Sequence, residues 1–348
     1  MADFRYTGVP SAELNTALEC ALADISNDIK ALELQALAGV VLGGGYGRGE
    51  GGVLHTENGD RLYNDLDFFV FGENAGHSDA KRIGKALMLI SEKWKKTLGV
   101  EIDFGPLKNL SEIKNVSSTL MYQELRRGWR NVYGKLDLTD IIPELTAREL
   151  PYTEAVRTLL NRGMGLVFAG EYLAAGKDDA DFIVRNMNKC VLGCGDALLL
   201  ASGEYRWSLA ERKDAFAEYA KKNSLPENYA ALYSDACRYK LEPTPFLPDN
   251  PLEKWCSCRL FHLFAVRKVA AADNVNSVLS GLHKHAAKER SLRNLLRWIV
   301  RTHSFRSLEY CMDAPVVSLL AMLYELLEKN DNYPNCPQKL LELWRVFN

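Results

Sequence analysis

The stretch from Val40 to Val70, VVLGGGYGRGEGGVLHTENGDRLYNDLDFFV, constrains the fold more than any other part of the chain. Val40-Val41-Leu42 reads as a short apolar strand, and the segment Gly43–Gly52 that follows is a glycine-dense loop. Glycines let a backbone turn tightly and leave its N–H groups unshielded, so that several can converge on one phosphate. After a polar turn around Asn58-Gly59 the pattern returns to a strand, Asp65-Leu66-Asp67-Phe68-Phe69-Val70-Phe71. Side chains at i and i+2 of a strand share a face, so Asp65 and Asp67 point the same way and can hold a metal jointly.

The strand's faces can be assigned from its alternation. Asp65 and Asp67 share one with Phe69 and Phe71, while Leu66, Phe68 and Val70 take the other. Both faces become apolar beyond Asp67, which predicts a central, buried strand with its carboxylates at the solvent-reaching end. Two solvated strand charges are the plainer alternative. A third strand, Val100–Phe104, turns Val100, Ile102 and Phe104 to the core and Glu101 and Asp103 away from it. Asp103 there is either a strand-end charge or a third carboxylate reaching the same cleft.

These residues resemble the DNA polymerase β-like nucleotidyltransferase superfamily, in its kanamycin nucleotidyltransferase and minimal nucleotidyltransferase branch. Gly44-Gly45 match its glycine pair, and Asp65 and Asp67 match its Asp-x-Asp. Asp103 matches the carboxylate on a later strand, and the Tyr46–Glu50 continuation is similar to the small-molecule and antitoxin branches. The resemblance covers residues 38–135. It departs in two places. The spacer between Gly45 and Asp65 is longer than usual, which implies an extra hairpin or loop around Thr56–Tyr63, and Gly45 stands where a serine is common.

The resemblance implies an α+β fold. A nucleotidyltransferase domain over 1–142, a small mixed sheet with helices, precedes an all-α domain over 143–348 that binds the acceptor. It implies a metal-dependent enzyme that moves a nucleoside monophosphate from an NTP, ATP in the first instance, to a hydroxyl of a small molecule or protein. Asp65, Asp67 and Asp103 are then the catalytic residues and the ligands of two Mg2+ ions, for which Mn2+ can substitute. Gly44, Gly45, Arg48 and Lys189 bind the nucleotide. An RNA acceptor is the weaker expectation. The alternative is a catalytically silent nucleotide-binding or partner-binding module.

Helical periodicity fills most of the remaining chain. Helices are predicted over 11–38 and 78–98, and beyond Pro143 near 151–174, 178–202, 206–222, 227–239, 251–272, 277–302, 306–328 and 337–347. Within 178–202, Lys189 and Asp196 are polar positions seven apart on one apolar helix. They line a cleft, with Lys189 meeting a triphosphate, or they form an internal ion pair or stay at the surface. Arg126, Arg127 and Arg130 are a basic cluster, read as solvated or phosphate-binding. Arg290, Arg293, Arg297 and Arg301 form a helical stripe, read as a solvated face or as a footprint for a polyanion.

Composition bounds the rest. A length of 348 residues suits two domains, and a formal net charge of -2 argues against a protein built around non-specific binding of long nucleic acid. Eight scattered cysteines and no leader pattern at Met1–Arg5 predict reduced thiols and a cytoplasmic location. No apolar run approaches the length of a membrane span.

Overall fold

The structure is a computed structural model that describes residues 5–272, 274–302, 313–330 and 332–347. The fold is mixed α+β, and the chain forms two compact units. The first comprises Met1–Leu145 together with Arg238–Pro243; the second comprises Thr146–Cys237 and Thr244–Asn348. The division thus falls just beyond the expected 142/143 boundary, and a short later segment joins the first unit.

In the first unit, helix α1 (Ala12–Ala31) leads to strand β1 (Leu37–Leu42). The helix stops short of the expected residue 38 because Glu33 takes a left-handed conformation, φ 47°. One helical turn, α2 (Gly44–Gly47), follows β1 where the sequence reads as loop. The hairpin β2 (Val53–Thr56) and β3 (Gly59–Leu62) comes next, then strand β4 (Leu66–Gly72) and helix α3 (His77–Leu98). Strands β5 (Ile102–Phe104) and β6 (Lys108–Asn109), helix α4 (Leu120–Arg127), strand β7 (Arg130–Tyr133) and the short α5 (Leu138–Ile141) complete the unit.

The main sheet runs β5-β4-β1-β7, with β6 also pairing β4. Strand β1 is antiparallel to β4 and β7, whereas β4 is parallel to β5 and β6, so the sheet is mixed. The β2–β3 hairpin pairs only with itself, and it accounts for the long spacer between Gly45 and Asp65.

The alternation read from β4 fixes both faces of this sheet. Leu66, Phe68 and Val70 join the core under α1 and α3, with Ile25, Leu87 and Trp94. Phe69 and Phe71 turn instead to Tyr122, Leu125, Leu138 and Ile142 of α4 and its surroundings. Ile102, Phe104 and Val100 face the first core, and Phe68 stacks on Phe104 at 4.7 Å between ring centroids.

The arginines near the end of the unit have other work than either reading gave them. Arg126 Nε donates to the Ile142 carbonyl (2.9 Å), and Arg127 Nη2 donates to the Leu145 carbonyl (2.7 Å). Arg130 lies over the Tyr6 ring. Beside them, the buried Gln123 amide donates to the carbonyls of Ser117 (2.7 Å) and Pro143 (2.8 Å). Its Oε1 accepts from the Leu145 N–H (2.9 Å). Residues 142–145 therefore leave the unit along a fixed path.

The described part of the second unit is helical. Its long helices are α6 (Tyr152–Ala174) and α7 (Ala180–Ser202), followed by α8 (Leu209–Lys222), α9 (Glu227–Leu241) and α10 (Pro251–Val269). Helices α11 (Val275–Ala286), α12 (Leu292–Thr302), α13 (Pro315–Glu328) and α14 (Gln338–Phe347) complete it. The last residues of α9 belong with the first unit. Asn250 caps α10 through the Glu253 N–H (3.2 Å), with Pro251 in the first turn. Helix α10 lays Trp255 and His262 against α6: the indole donates to the Leu166 carbonyl (2.9 Å), and His262 Nε2 meets the Leu159 carbonyl (3.0 Å).

The expected helix 277–302 is broken. A 3-10 turn over Ala287–Glu289 ends the first part, and Ser291 Oγ accepts from the Asn294 N–H (3.2 Å) to start the second. Arg290 falls in the break, where its Nε donates to the buried Asp313 (2.7 Å), so it is not part of an arginine stripe. The side chains of Arg297 and Arg301 lie outside the described residues. Among the described residues no helix is long and apolar enough to cross a membrane.

Candidate functional site

Strand β4 brings its carboxylates to the end of the sheet where β1 runs into the glycine turn. Asp67 pairs in register with Asp103 of the parallel strand β5, as Leu66 does with Ile102 and Phe68 with Phe104. Register partners on adjacent strands face the same side at the usual strand separation of about 4.8 Å. Asp67 and Asp103 are therefore neighbours on the face opposite the α1–α3 core. Asp65 lies immediately before β4, two residues ahead of Asp67. Asp65 and Asp67 are half-buried and Asp103 is exposed.

The glycine turn abuts this pair. The Gly43 N–H donates to the Asp67 carbonyl (2.8 Å). A Cβ on Gly44 would lie 2.2 Å from Asp67 Oδ2, and Gly44 has φ +61°. Only glycine suits both conditions, because the carboxylate occupies the space that any side chain would need. The first N–H groups of a helical turn have no partner within it, so those of Gly44 and Gly45 are not used inside α2, and Gly44 is the one that abuts Asp67.

Arg48 closes the turn and is held by two acids. Its Nε is 3.4 Å from Glu50 and its Nη1 is 3.2 Å from Glu124 of α4. Glu50 therefore orients Arg48, and it is also 4.0 Å from Lys240 Nζ. Glu124, Lys240 and Tyr46 were not singled out from the sequence. Glu124 and Lys240 are ordinary charged helix residues there. Tyr46 did carry a signal, being the one bulky side chain inside Gly43–Gly47.

Lys189 is half-buried on α7 and belongs to the second unit. Asp196, on the same helix, forms an internal pair: it is 3.5 Å from Arg212 and accepts from Tyr233 Oη (2.6 Å). Arg212 also bonds the Tyr205 hydroxyl, so the half-buried Asp196 and the buried Arg212, Tyr205 and Tyr233 form one cluster in the helical unit.

Hard oxygen donors on neighbouring strands fit Mg2+ or Mn2+ by ligand type. The Asp67–Asp103 register pair and the close approach at Gly44 supply such donors beside a glycine turn. Among the described residues, however, no three His, Cys, Asp or Glu side chains already converge as a metal-holding group. No protein-family model matches the chain, and neither a curated protein nor a solved structure matches it.

Proposed function

We propose that the first unit is a nucleotidyltransferase domain. It moves a nucleoside monophosphate from an NTP, with ATP as the favoured donor, to a hydroxyl of a small molecule or a protein. The observation that carries this reading is the register pairing of Asp67 with Asp103 beside Gly44. Carboxylates and backbone N–H groups at one strand end are the two kinds of group that a polyphosphate and its cations require.

In the reaction, the acceptor oxygen forms a bond to the α-phosphorus while the bond from that phosphorus to the bridging oxygen breaks and pyrophosphate leaves. Asp103, the exposed member of the pair, takes the acceptor proton. The Gly44 and Gly45 N–H groups hold the oxygens of the leaving phosphates, and Arg48, fixed by Glu50 and Glu124, adds positive charge beside them. Asp65, Asp67 and Asp103 would hold Mg2+, which neutralises charge on the attacking and leaving oxygens when bound. The helical unit is the candidate for acceptor binding.

A second reading is a silent nucleotide-binding or partner-binding module. The observation that favours it is the pairing of Arg48 with two acids, which offsets its charge. Nucleotides labelled at the α-phosphate, incubated with the protein, Mg2+ and a fractionated cell extract, separate the two. The enzyme labels an acceptor, and Asp65→Asn or Asp67→Asn abolishes labelling. Labelling that persists in both variants contradicts the proposal, and its absence with every nucleotide favours the silent module.

A further inference from the structure

We infer that Tyr46 is a positioning residue for Asp65: its buried hydroxyl closes the β2–β3 insertion at its neck and so sets where the chain re-enters strand β4. The importance of Asp65 rests on the nucleotidyl-transfer reading; the closure is a structural claim of its own.

The chain between Glu50 and Asn64 makes a long excursion before it delivers Asp65. An excursion of that length leaves the next residue poorly fixed unless its two ends are tied. Tyr46 ties them. Its hydroxyl donates to the Gly52 carbonyl (2.7 Å) on the outgoing side and accepts from the Tyr63 N–H (2.9 Å) on the returning side. Asn64 adds a parallel tie, its Oδ1 accepting from the Gly52 N–H (2.8 Å). Tyr63 and Asn64 are the two residues directly before Asp65.

The ring is built into the loop. Tyr46 is 1% exposed, and a Cβ on Gly51 would lie 2.0 Å from its Cδ1, so glycine there makes room for the aromatic face. Tyr46 also follows Gly44 and Gly45 in α2. One side chain thereby joins the turn proposed to hold phosphate to the segment that presents the first carboxylate. Burial, with the nearby Asp65 charge adding to it, pushes the Tyr46 phenol up to about 12. The hydroxyl keeps its proton, and its bond to Gly52, at any ordinary pH.

Tyr46→Phe keeps the ring and removes only the tie. Mn2+ titration of the full chain, followed by the electron paramagnetic resonance of the free ion, compares it with wild type, Asp67→Asn and Tyr63→Phe. The last breaks the outward Tyr63–Tyr239 hydroxyl contact (2.6 Å) and spares the neck. Tyr46→Phe should bind Mn2+ about tenfold more weakly, because it loses both bonds of the neck hydroxyl and strands the Gly52 carbonyl and the Tyr63 N–H. Saturation should return at higher Mn2+, Tyr63→Phe should match wild type, and amide exchange should quicken only at residues 63–66, a localisation that general loosening would not produce. Wild-type affinity in Tyr46→Phe overturns the inference.

Wild type and Asp67→Asn both failing to take up Mn2+ would instead sink the metal reading. Hydrogen exchange then decides the closure: faster exchange confined to residues 63–66 in Tyr46→Phe upholds it, and unchanged exchange overturns it. If Tyr46→Phe does not fold, Asn64→Ala cuts the other tie at the same neck and is read by the same two measurements.

Discussion

Asp67 and Asp103 stand opposite each other on the parallel strands β4 and β5. Their neighbours Leu66, Phe68, Ile102 and Phe104 are committed to the core beneath, so slipping either strand by one residue would turn that strand's own pair, Leu66 and Phe68 or Ile102 and Phe104, out of this core. The hydrophobic pattern of both strands therefore enforces the placement of two like charges side by side.

Two carboxylates directly opposite on a sheet repel each other, by roughly 0.2–1 kcal/mol. Asp103→Asn should accordingly leave the fold as stable or raise its unfolding free energy by about 0.5 kcal/mol, while removing transfer. Urea titration beside the labelling assay checks both. A variant that is destabilised and inactive would make Asp103 a structural residue instead.

Gly44→Ala places a methyl group where Asp67 Oδ2 lies, in a backbone conformation with φ +61°. The left-handed conformation alone costs about 1–2 kcal/mol for a residue with a Cβ. The displaced carboxylate adds to that and should abolish metal-dependent nucleotide binding. A thermal melt and a binding titration on the same variant test the two effects separately.

Gln123→Leu removes the donors to Ser117 and Pro143 and the acceptor of the Leu145 N–H in a fully buried site. The stranded backbone groups should lower stability by about 3 kcal/mol. Proteolysis should also find residues 142–145 more readily, visible as cleavage near the junction of the two units.

His262 is buried between α10 and α6, and burial lowers its pKa to about 4. The unfolded chain titrates it near 6.5. Between these values the unfolded state binds a proton that the folded state refuses. Stability therefore falls as pH drops from 6.5 towards 4, by up to about 1.4 kcal/mol per pH unit from this group, and is unaffected by it above 6.5. His262→Gln keeps a donor for the Leu159 carbonyl and lacks that slope. Unfolding free energies of both proteins at several pH values should converge as pH falls.

Local alternation made the sheet legible. The faces of β4 and β5, and with them the common side of Asp67 and Asp103, follow from period-2 patterning in apolar runs, whereas Asp65 lies just before β4 and outside that alternation. The hairpin was legible because Asn58-Gly59 sits between short alternating stretches and the spacer needed a place to go. Three features were not. Arg290 looked like part of a helical stripe because spacing alone does not show a Ser291 cap breaking the helix. Arg126 and Arg127 looked solvated because their acceptors are backbone carbonyls far along the chain. The joining of Arg238–Pro243 to the first unit is long-range packing with no local signature. Tyr46 lies between these cases: its place was visible, but its two backbone partners were not.

The most direct test of the metal-dependent nucleotide site, on which nucleotidyl transfer depends, is calorimetric titration of ATP, GTP, CTP and UTP into wild type and Asp67→Asn, each in Mg2+ and in EDTA. The account predicts that one nucleotide binds wild type in Mg2+, that EDTA abolishes the heat, and that Asp67→Asn gives none in either buffer. Binding that is indifferent to the metal and to Asp67, or no binding of any nucleotide, would contradict it.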